Sequence, residues 1–229
     1  MPGLEILLVT SPGLDLDLYR PVVHELREAG ARVTPVSFPC SGDAADLGEV
    51  IVRAADGREV VVLAHGVGAT LALGAYDRLE VERWVLLGPV LDVVRGPWLD
   101  ALVEVPLDRA RVELGVAPED LGSAVLGEGW AEVSGCVAPG LARDVQSWIR
   151  TGSVPVDPAK VADPVWIGVG LLDEVAPVEA TIPASRRFPD RLVVRPGVAR
   201  FDPKDYRHLD LVRDPLPVRL AVRAATEGW

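Results

Sequence analysis

The fold of this chain is decided by residues Val60 to Leu73, which read VVVLAHGVGATLAL. The first half is a continuous apolar run, rich in β-branched residues, with the length of a buried strand. The second half is small and apolar, and Gly66 and Gly68 stand at the junction of the two halves. This order predicts a strand, a very tight turn and a helix. The small residues should let the start of the helix pack close against the sheet.

Strands and helices alternate along most of the remaining sequence. Five further apolar runs of strand length are found at Glu5–Thr10, Arg32–Ser37, Arg83–Leu87, Val165–Val169 and Arg191–Arg195. The segments around them predict helices from Asp15 or Asp17 to Ala29, then at Asp46–Ala55, Gly68–Leu79, Pro177–Phe188 and Leu216–Thr226. Such an alternation indicates the α/β class, with a parallel sheet covered by helices on both faces.

This alternation breaks between residues 91 and 162, where prolines separate short helical pieces such as Pro106–Glu113 and Gly140–Arg150. We expect this segment to form a small helical cap inserted into a single domain that spans residues 1–229. Trp98 and Trp148 fall within the expected cap. Tryptophans in such a segment often serve packing alone, but these two are candidates for covering an apolar ligand pocket.

Composition excludes several classes of partner. The chain has 229 residues, of which 49% are hydrophobic, enough to build one sizeable core. Its net charge of −11 repels phosphate backbones, so we expect no nucleic-acid partner. No apolar run approaches the length of a membrane span, and the first residues predict a strand rather than a signal peptide.

The cysteines and the glycine patterns imply no cofactor. Cys40 and Cys136 are the two cysteines, and their spacing is not that of a metal site. We expect both to be reduced structural thiols in a cytoplasmic protein. The sequence contains neither a cluster of His, Cys and carboxylate ligands nor a phosphate-binding glycine fingerprint, so we expect no metal or organic cofactor.

Three segments resemble parts of the α/β-hydrolase superfamily. The junction Ala64-His65-Gly66-Val67-Gly68 resembles the nucleophile elbow, whose usual form is G-x-S-x-G. Residues 164–177 resemble the late strand and loop that carry the triad acid, with Asp173 in the place of the acid. Residues 205–211 resemble the loop of the catalytic histidine, with His208 in its place. The resemblance implies the α/β-hydrolase fold with a small sheet of about six strands, because the chain begins at the third strand of the usual fold.

The resemblance also implies a ligand pocket between the cap and the carboxyl ends of the strands, where Gly66, Asp173 and His208 should converge. The loop that begins at Ser11 is in the place of the oxyanion loop. The amide of Gly13 or Leu14 from that loop, and the amide of Val67 after the elbow, are the candidate oxyanion donors. A small apolar acyl-type ligand is the expected occupant.

The departure from the family pattern is Gly66, which stands where the serine nucleophile should be. Glycine adopts the positive φ of such a turn without strain, so loss of the serine relieves the backbone. An acyl-enzyme mechanism through residue 66 is thereby excluded. Three functions stay open: a non-catalytic binding or scaffold pseudoenzyme, an enzyme that uses His208 and Asp173 as a non-covalent general base, and an inactivated variant of a serine esterase.

Other polar side chains near these segments are weaker candidates for a catalytic role. Three of them are conceivable substitute nucleophiles, although the sequence gives none an evident geometry with His208; they are Ser11, Cys40 and Thr70. We expect His65 to have a packing role and His24 to lie at the surface of its helix. Asp210 is expected to cap or anchor the loop after His208.

Overall fold

A computed structural model of the protein describes residues 3–93, 138–197 and 205–229. The described strands are β1 (Glu5–Val9), β2 (Arg32–Val36), β3 (Val60–His65), β4 (Val81–Leu87), β5 (Val165–Gly168) and β6 (Arg191–Val194). The described α-helices are α1 (Arg20–Glu28), α2 (Ala44–Ala55), α3 (Gly66–Gly74), α4 (Pro139–Thr151), α5 (Val178–Ser185), α6 (Asp210–Arg213) and α7 (Pro215–Glu227). Short 3₁₀ helices at Leu16–Tyr19, Tyr76–Arg78 and Pro158–Lys160 join some of these elements.

The described strands form one parallel sheet in the order β2-β1-β3-β4-β5-β6. Every residue of β3 is buried, as expected for a central strand covered on both faces. Helices α1, α6 and α7 contact one another, and α2 contacts both α3 and α4. The prediction of an α/β fold with about six strands is therefore confirmed.

The sheet changes direction between β1 and β3, because β2 follows β1 on one side and β3 pairs with β1 on the other. Val9 lies opposite Ala64 and His65 opposite Leu87 at the carboxyl ends of the central strands, while the register between β3 and β4 shifts by one residue at Val60 and Val61. Open α/β sheets bind ligands at such a switch point, beyond the carboxyl ends of the strands. The residues that follow β1, β3 and β4 therefore lie side by side at this edge.

Local sequence explains where the helices begin. Asp43 precedes α2, and its carboxylate accepts a hydrogen bond from Asp46 N at 3.0 Å, while the Asp46 carboxylate accepts one from Asp43 N at 3.2 Å. This capping box starts α2 two residues before the predicted position. Asp15 caps the 3₁₀ helix Leu16–Tyr19, whereas α1 begins only at Arg20, so the predicted helix from Asp15 or Asp17 is divided into these two elements.

The expected cap is described only in part. Helix α4 contains the predicted helical piece Gly140–Arg150. The predicted piece Pro106–Glu113 and the side chain of Trp98 lie outside the described residues. The cap between residues 91 and 162 therefore stays a prediction.

The expectation of reduced cysteines is wrong for Cys40, which is disulfide-bonded; Cys136 lies outside the described residues. Disulfides persist mainly in oxidising environments, so the cysteines do not support the expected cytoplasmic location. Within the described residues, no helix has both the length and the apolarity to cross a membrane.

Candidate functional site

The turn from β3 into α3 has no loop, because the helix begins at Gly66, directly after the strand. Gly66 has a φ of +56°, a conformation that side-chain-bearing residues rarely adopt. A Cβ atom on Gly68 would lie 2.0 Å from the carbonyl oxygen of Thr10. The first turn of α3 thus touches the backbone after β1, which confirms the predicted close packing of helix and sheet.

The space above Gly66 is bounded by two polar side chains. A Cβ atom on Gly66 would lie 2.7 Å from His208 Nε2 and 2.9 Å from Ser11 Oγ. Both distances are shorter than real Cβ contacts. The imidazole and the hydroxyl therefore already border the volume that a side chain at residue 66 would need.

His208 and Asp173 form a buried hydrogen-bonded pair. The distance from His208 Nδ1 to Asp173 Oδ2 is 2.8 Å, and each residue is 2% exposed. The second carboxylate oxygen, Asp173 Oδ1, accepts hydrogen bonds from Val175 N at 2.9 Å and Ala176 N at 2.8 Å. Because a carboxylate accepts, Nδ1 of the imidazole carries a proton, and in the neutral ring Nε2 faces Gly66 as an acceptor.

Backbone contacts hold the two loops of this pair together. Leu172 N donates to Tyr206 O at 3.1 Å, and a Cβ on Gly170 would lie 2.3 Å from the same oxygen. Asp210 Oδ2 accepts a hydrogen bond from Arg207 N at 2.9 Å, so Asp210 anchors the loop as expected. The loops after β5 and before α6 approach closely because glycine stands at the contact.

Gly88 follows the predicted strand Arg83–Leu87 and is a site residue that sequence reasoning missed. A Cβ atom there would lie 2.6 Å from Asp173 Oδ2 and 3.0 Å from His208 Nδ1. Glycine at this position therefore leaves room for the pair. The Gly-Pro dipeptide after β4 signals a turn, and nothing local in the sequence indicates what the turn must accommodate.

A second buried network, which sequence reasoning missed, lies beneath the pair. Tyr19 Oη lies 2.9 Å from His65 Nδ1, and His65 Nε2 lies 3.2 Å from the carbonyl oxygen of His208. The rings of His65 and His208 are in contact, with centroids 4.3 Å apart and planes tilted by 31°. Ser11 N donates to Tyr19 Oη at 2.8 Å. His65 packs as expected, and it also connects the loop of Ser11 to that of His208.

The charge state of His65 follows from its surroundings. Burial, with a smaller contribution from the neighbouring His208, lowers the pKa of the His65 imidazole well below its ordinary value. The ring is therefore neutral, and the carbonyl acceptor on His208 places the proton on Nε2. His65 Nδ1 then accepts from the Tyr19 hydroxyl, and burial raises the pKa of that hydroxyl. Every polar atom of the network thereby has a consistent role.

The structure separates the three conceivable substitute nucleophiles. Thr70 is buried, and its hydroxyl donates to Val90 O at 2.7 Å, which is a structural contact. Cys40 is disulfide-bonded and presents no thiol. Of the three, Ser11 is the residue that lies beside His208, since both side chains border the space above Gly66.

The expected ligand contacts fall at two different places. Ser11, Gly13 and Leu14 line a cavity of about 120 Å³ beyond the end of β1. Leu14 N donates within the loop to Ser11 O at 3.2 Å, so this amide is already used. Val67 follows Gly66 in the first turn of α3, where no side chain caps the helix. Trp148 instead lines a cavity of about 460 Å³ between α2, α3 and α4.

The remaining expected features are reported for the described residues. His24 is exposed on α1, as predicted. No group of three or more His, Cys, Asp or Glu side chains within residues 3–93, 138–197 and 205–229 is arranged to hold a metal ion.

Comparison of the sequence with protein-family models and with curated proteins finds no match. Comparison of the structure with solved structures finds clear matches. A thermophilic esterase from Thermogutta terrifontis is 18% identical with a TM-score of 0.71, over 96% of this chain and 88% of that one. A monoacylglycerol lipase from Paleococcus ferrophilus is 17% identical with a TM-score of 0.61, over 98% of this chain and 95% of that one.

A hydrolase from Pseudomonas aeruginosa is likewise similar, at 18% identity and a TM-score of 0.66, over 97% of this chain and 89% of that one. The chain has the α/β-hydrolase fold. The resemblance drawn from residues 64–68, 164–177 and 205–211 is thus confirmed at the level of the fold.

Proposed function

We propose that this chain acts on a small, apolar acyl-type ligand, with His208 as general base and Asp173 as its orienting acid, and without a nucleophile at residue 66. One observation carries the proposal. His208 Nδ1 donates to Asp173 at 2.8 Å, while Nε2 points to within 2.7 Å of the Cβ position of Gly66. The imidazole is thus oriented by a carboxylate on one side and faces the turn at the centre of the sheet on the other.

This arrangement suits proton abstraction. The carboxylate of Asp173 fixes the tautomer of His208 and stabilises the imidazolium that forms when Nε2 takes a proton. Two backbone amides hold the other carboxylate oxygen in place. Both side chains are buried, so the pair has little contact with bulk water. A hydroxyl group or a water molecule above Gly66 is the natural proton donor.

The acyl class of ligand is supported by analogy. An esterase and a monoacylglycerol lipase are among the similar structures, and both names denote proteins that act on acyl esters. Such an analogy is weak alone, since one fold supports many reactions. It gains weight here from the buried Asp173–His208 pair at the crevice where the fold binds its ligands.

The test is hydrolysis of p-nitrophenyl esters with acyl chains from acetyl to octanoyl. His208→Gln should reduce the rate by about 100- to 10,000-fold, the usual contribution of a general base. The matched control is His24→Gln, because His24 is exposed on α1 and takes no part in the site. Asp173→Asn should also reduce the rate strongly, since an amide no longer selects the required tautomer.

Equal rates for His208→Gln and the native chain would show that the general-base proposal is wrong. If no ester is hydrolysed, binding is measured by the rise in melting temperature that octanoate produces. A rise that persists in His208→Gln would favour the non-catalytic binding function. Hydrolysis that appears only after Gly66→Ser would instead favour an inactivated esterase.

A further inference from the structure

Ser11 stands beside Gly66 because of the register of the sheet. Strands β1 and β3 are parallel neighbours with Val9 opposite Ala64. Two residues further along, Ser11 follows β1 and Gly66 follows β3. Neighbouring strands lie about 4.8 Å apart, so a short side chain from one can reach the space above the other. The hydroxyl does so, since Ser11 Oγ is 2.9 Å from the Cβ position of Gly66.

We infer that Ser11 is the nucleophile of this site and that it replaces the missing side chain at residue 66. His208 Nε2 and Ser11 Oγ both lie within 2.9 Å of one point, the Cβ position of Gly66. With Nδ1 donating to Asp173, the neutral imidazole presents Nε2 as the acceptor for the Ser11 proton. Any side chain at residue 66 would occupy the space between hydroxyl and imidazole. Glycine there is what opens the path between them.

The backbone of Ser11 is fixed from both sides. Its N–H donates to the buried Tyr19 hydroxyl at 2.8 Å, and its carbonyl accepts from Leu14 N at 3.2 Å. Tyr19 is in turn tied through His65 to the carbonyl of His208. The loop of the nucleophile and the loop of the base are therefore held by the same buried network, which sets their separation.

The cavity next to Ser11 indicates the size of the acyl group. It has a volume of about 120 Å³, and Leu14 and Phe38 belong to its lining. Its lining also includes the polar residues Thr10, Ser11 and Ser37, so the cavity is not purely apolar. A cavity of roughly 150 Å³ accommodates a molecule of the size of benzene, so this one limits the group beside Ser11 to about four or five heavy atoms. We therefore assign short-chain acyl esters as the substrate class.

The reaction proceeds in two balanced halves. His208 Nε2 takes the proton of the Ser11 hydroxyl while Oγ forms a bond to the acyl carbon, and the carbonyl π pair moves to its oxygen. The amides at the uncapped start of α3 stabilise that oxyanion. Collapse breaks the ester bond, and the leaving alcohol takes the proton from His208. His208 then takes a proton from water, and the water oxygen forms a bond to the acyl carbon. The bond between the acyl carbon and Oγ breaks, and His208 returns the proton to Oγ.

This inference rests on the proposed function, and covalent labelling distinguishes the two. The native chain is treated with diisopropyl fluorophosphate, and the modified residue is located by peptide mass spectrometry. We expect label on Ser11, no label in Ser11→Ala, and much slower labelling in His208→Gln. The matched control is Ser153→Ala, because Ser153 is exposed and does not line this cavity. This variant should label and hydrolyse like the native chain.

Hydrolysis of p-nitrophenyl acetate completes the test. Ser11→Ala should lose at least about 100-fold in kcat. Should that variant fold poorly, Ser11→Cys keeps the volume of the side chain and should trap the acetyl group at residue 11. Absence of label on Ser11 in the native chain would overturn the inference. The inference would also be overturned if Ser11→Ala hydrolysed the ester within about threefold of the native rate while His208→Gln was inactive. In that case the proposed function would stand, with water as the nucleophile.

Discussion

Replacing Gly66 by alanine measures how tightly the candidate site is built. The added methyl group would lie 2.7 Å from His208 Nε2 and 2.9 Å from Ser11 Oγ, closer than real Cβ contacts. The imidazole of His208 has little freedom to move away, because it is hydrogen-bonded to Asp173 and packs against the ring of His65. The hydroxyl of Ser11 can rotate, so it should yield first.

Two effects make this substitution costly. A φ of +56° at residue 66 costs an alanine about 1–2 kcal/mol relative to glycine. Forcing a methyl group into a filled space costs about 1–3 kcal/mol more. The free energy of unfolding should therefore fall by about 2–5 kcal/mol. For a chain of this size, the melting temperature should fall by about 4–20 °C.

The assay is chemical denaturation of Gly66→Ala beside a matched control in the same helix. Gly74 ends α3, and a Cβ atom there would have no neighbour within 4 Å. Gly74→Ala should therefore be neutral or stabilising by up to about 1 kcal/mol. Combining Gly66→Ala with Ser11→Gly should recover part of the loss, with a coupling of about 0.5–3 kcal/mol.

Two outcomes would refute this reasoning. The first is a Gly66→Ala chain that is as stable as Gly74→Ala, since neither the strain nor the clash would then exist. The second is strict additivity of Gly66→Ala and Ser11→Gly. Additive effects would mean that the two residues do not share one space, contrary to the distances at this turn.

Two further predictions concern the network beneath the site. Tyr19→Phe leaves the N–H of Ser11 and Nδ1 of His65 without their partner, so the free energy of unfolding should fall by about 1–3 kcal/mol. Tyr76→Phe, at a half-buried position, should change the free energy of unfolding by less than about 0.5 kcal/mol. Equal effects in denaturant titrations would contradict the network. Burial lowers the pKa of His65, so below about pH 6.5 the unfolded chain binds the extra proton and stability should fall with falling pH, by up to about 1.4 kcal/mol per pH unit. His65→Asn should flatten this slope and His24→Asn should leave it unchanged; a slope that His65→Asn does not alter would refute the prediction.

Much of the fold was readable from the sequence because the relevant signals are local. A continuous apolar run such as Val60–His65 satisfies the burial of a central strand on both faces, whatever its neighbours are. Small residues at the junction with α3 indicated a close approach, and Gly68 makes it. The segments around Asp173 and His208 were found from their local pattern and their order along the chain, and the two side chains do lie together.

The alternation of strands and helices, the turn at Gly66 and the lack of a hydroxyl there follow from the amino-acid sequence. Which groups share the space above that turn depends on how the strands assemble. Ser11 reaches it because β1 lies next to β3, and strand order is not encoded in any local period. Gly88 and Tyr19 belong to the site for the same reason: each contacts residues more than forty positions away in the chain, and such contacts arise only when the whole sheet has assembled.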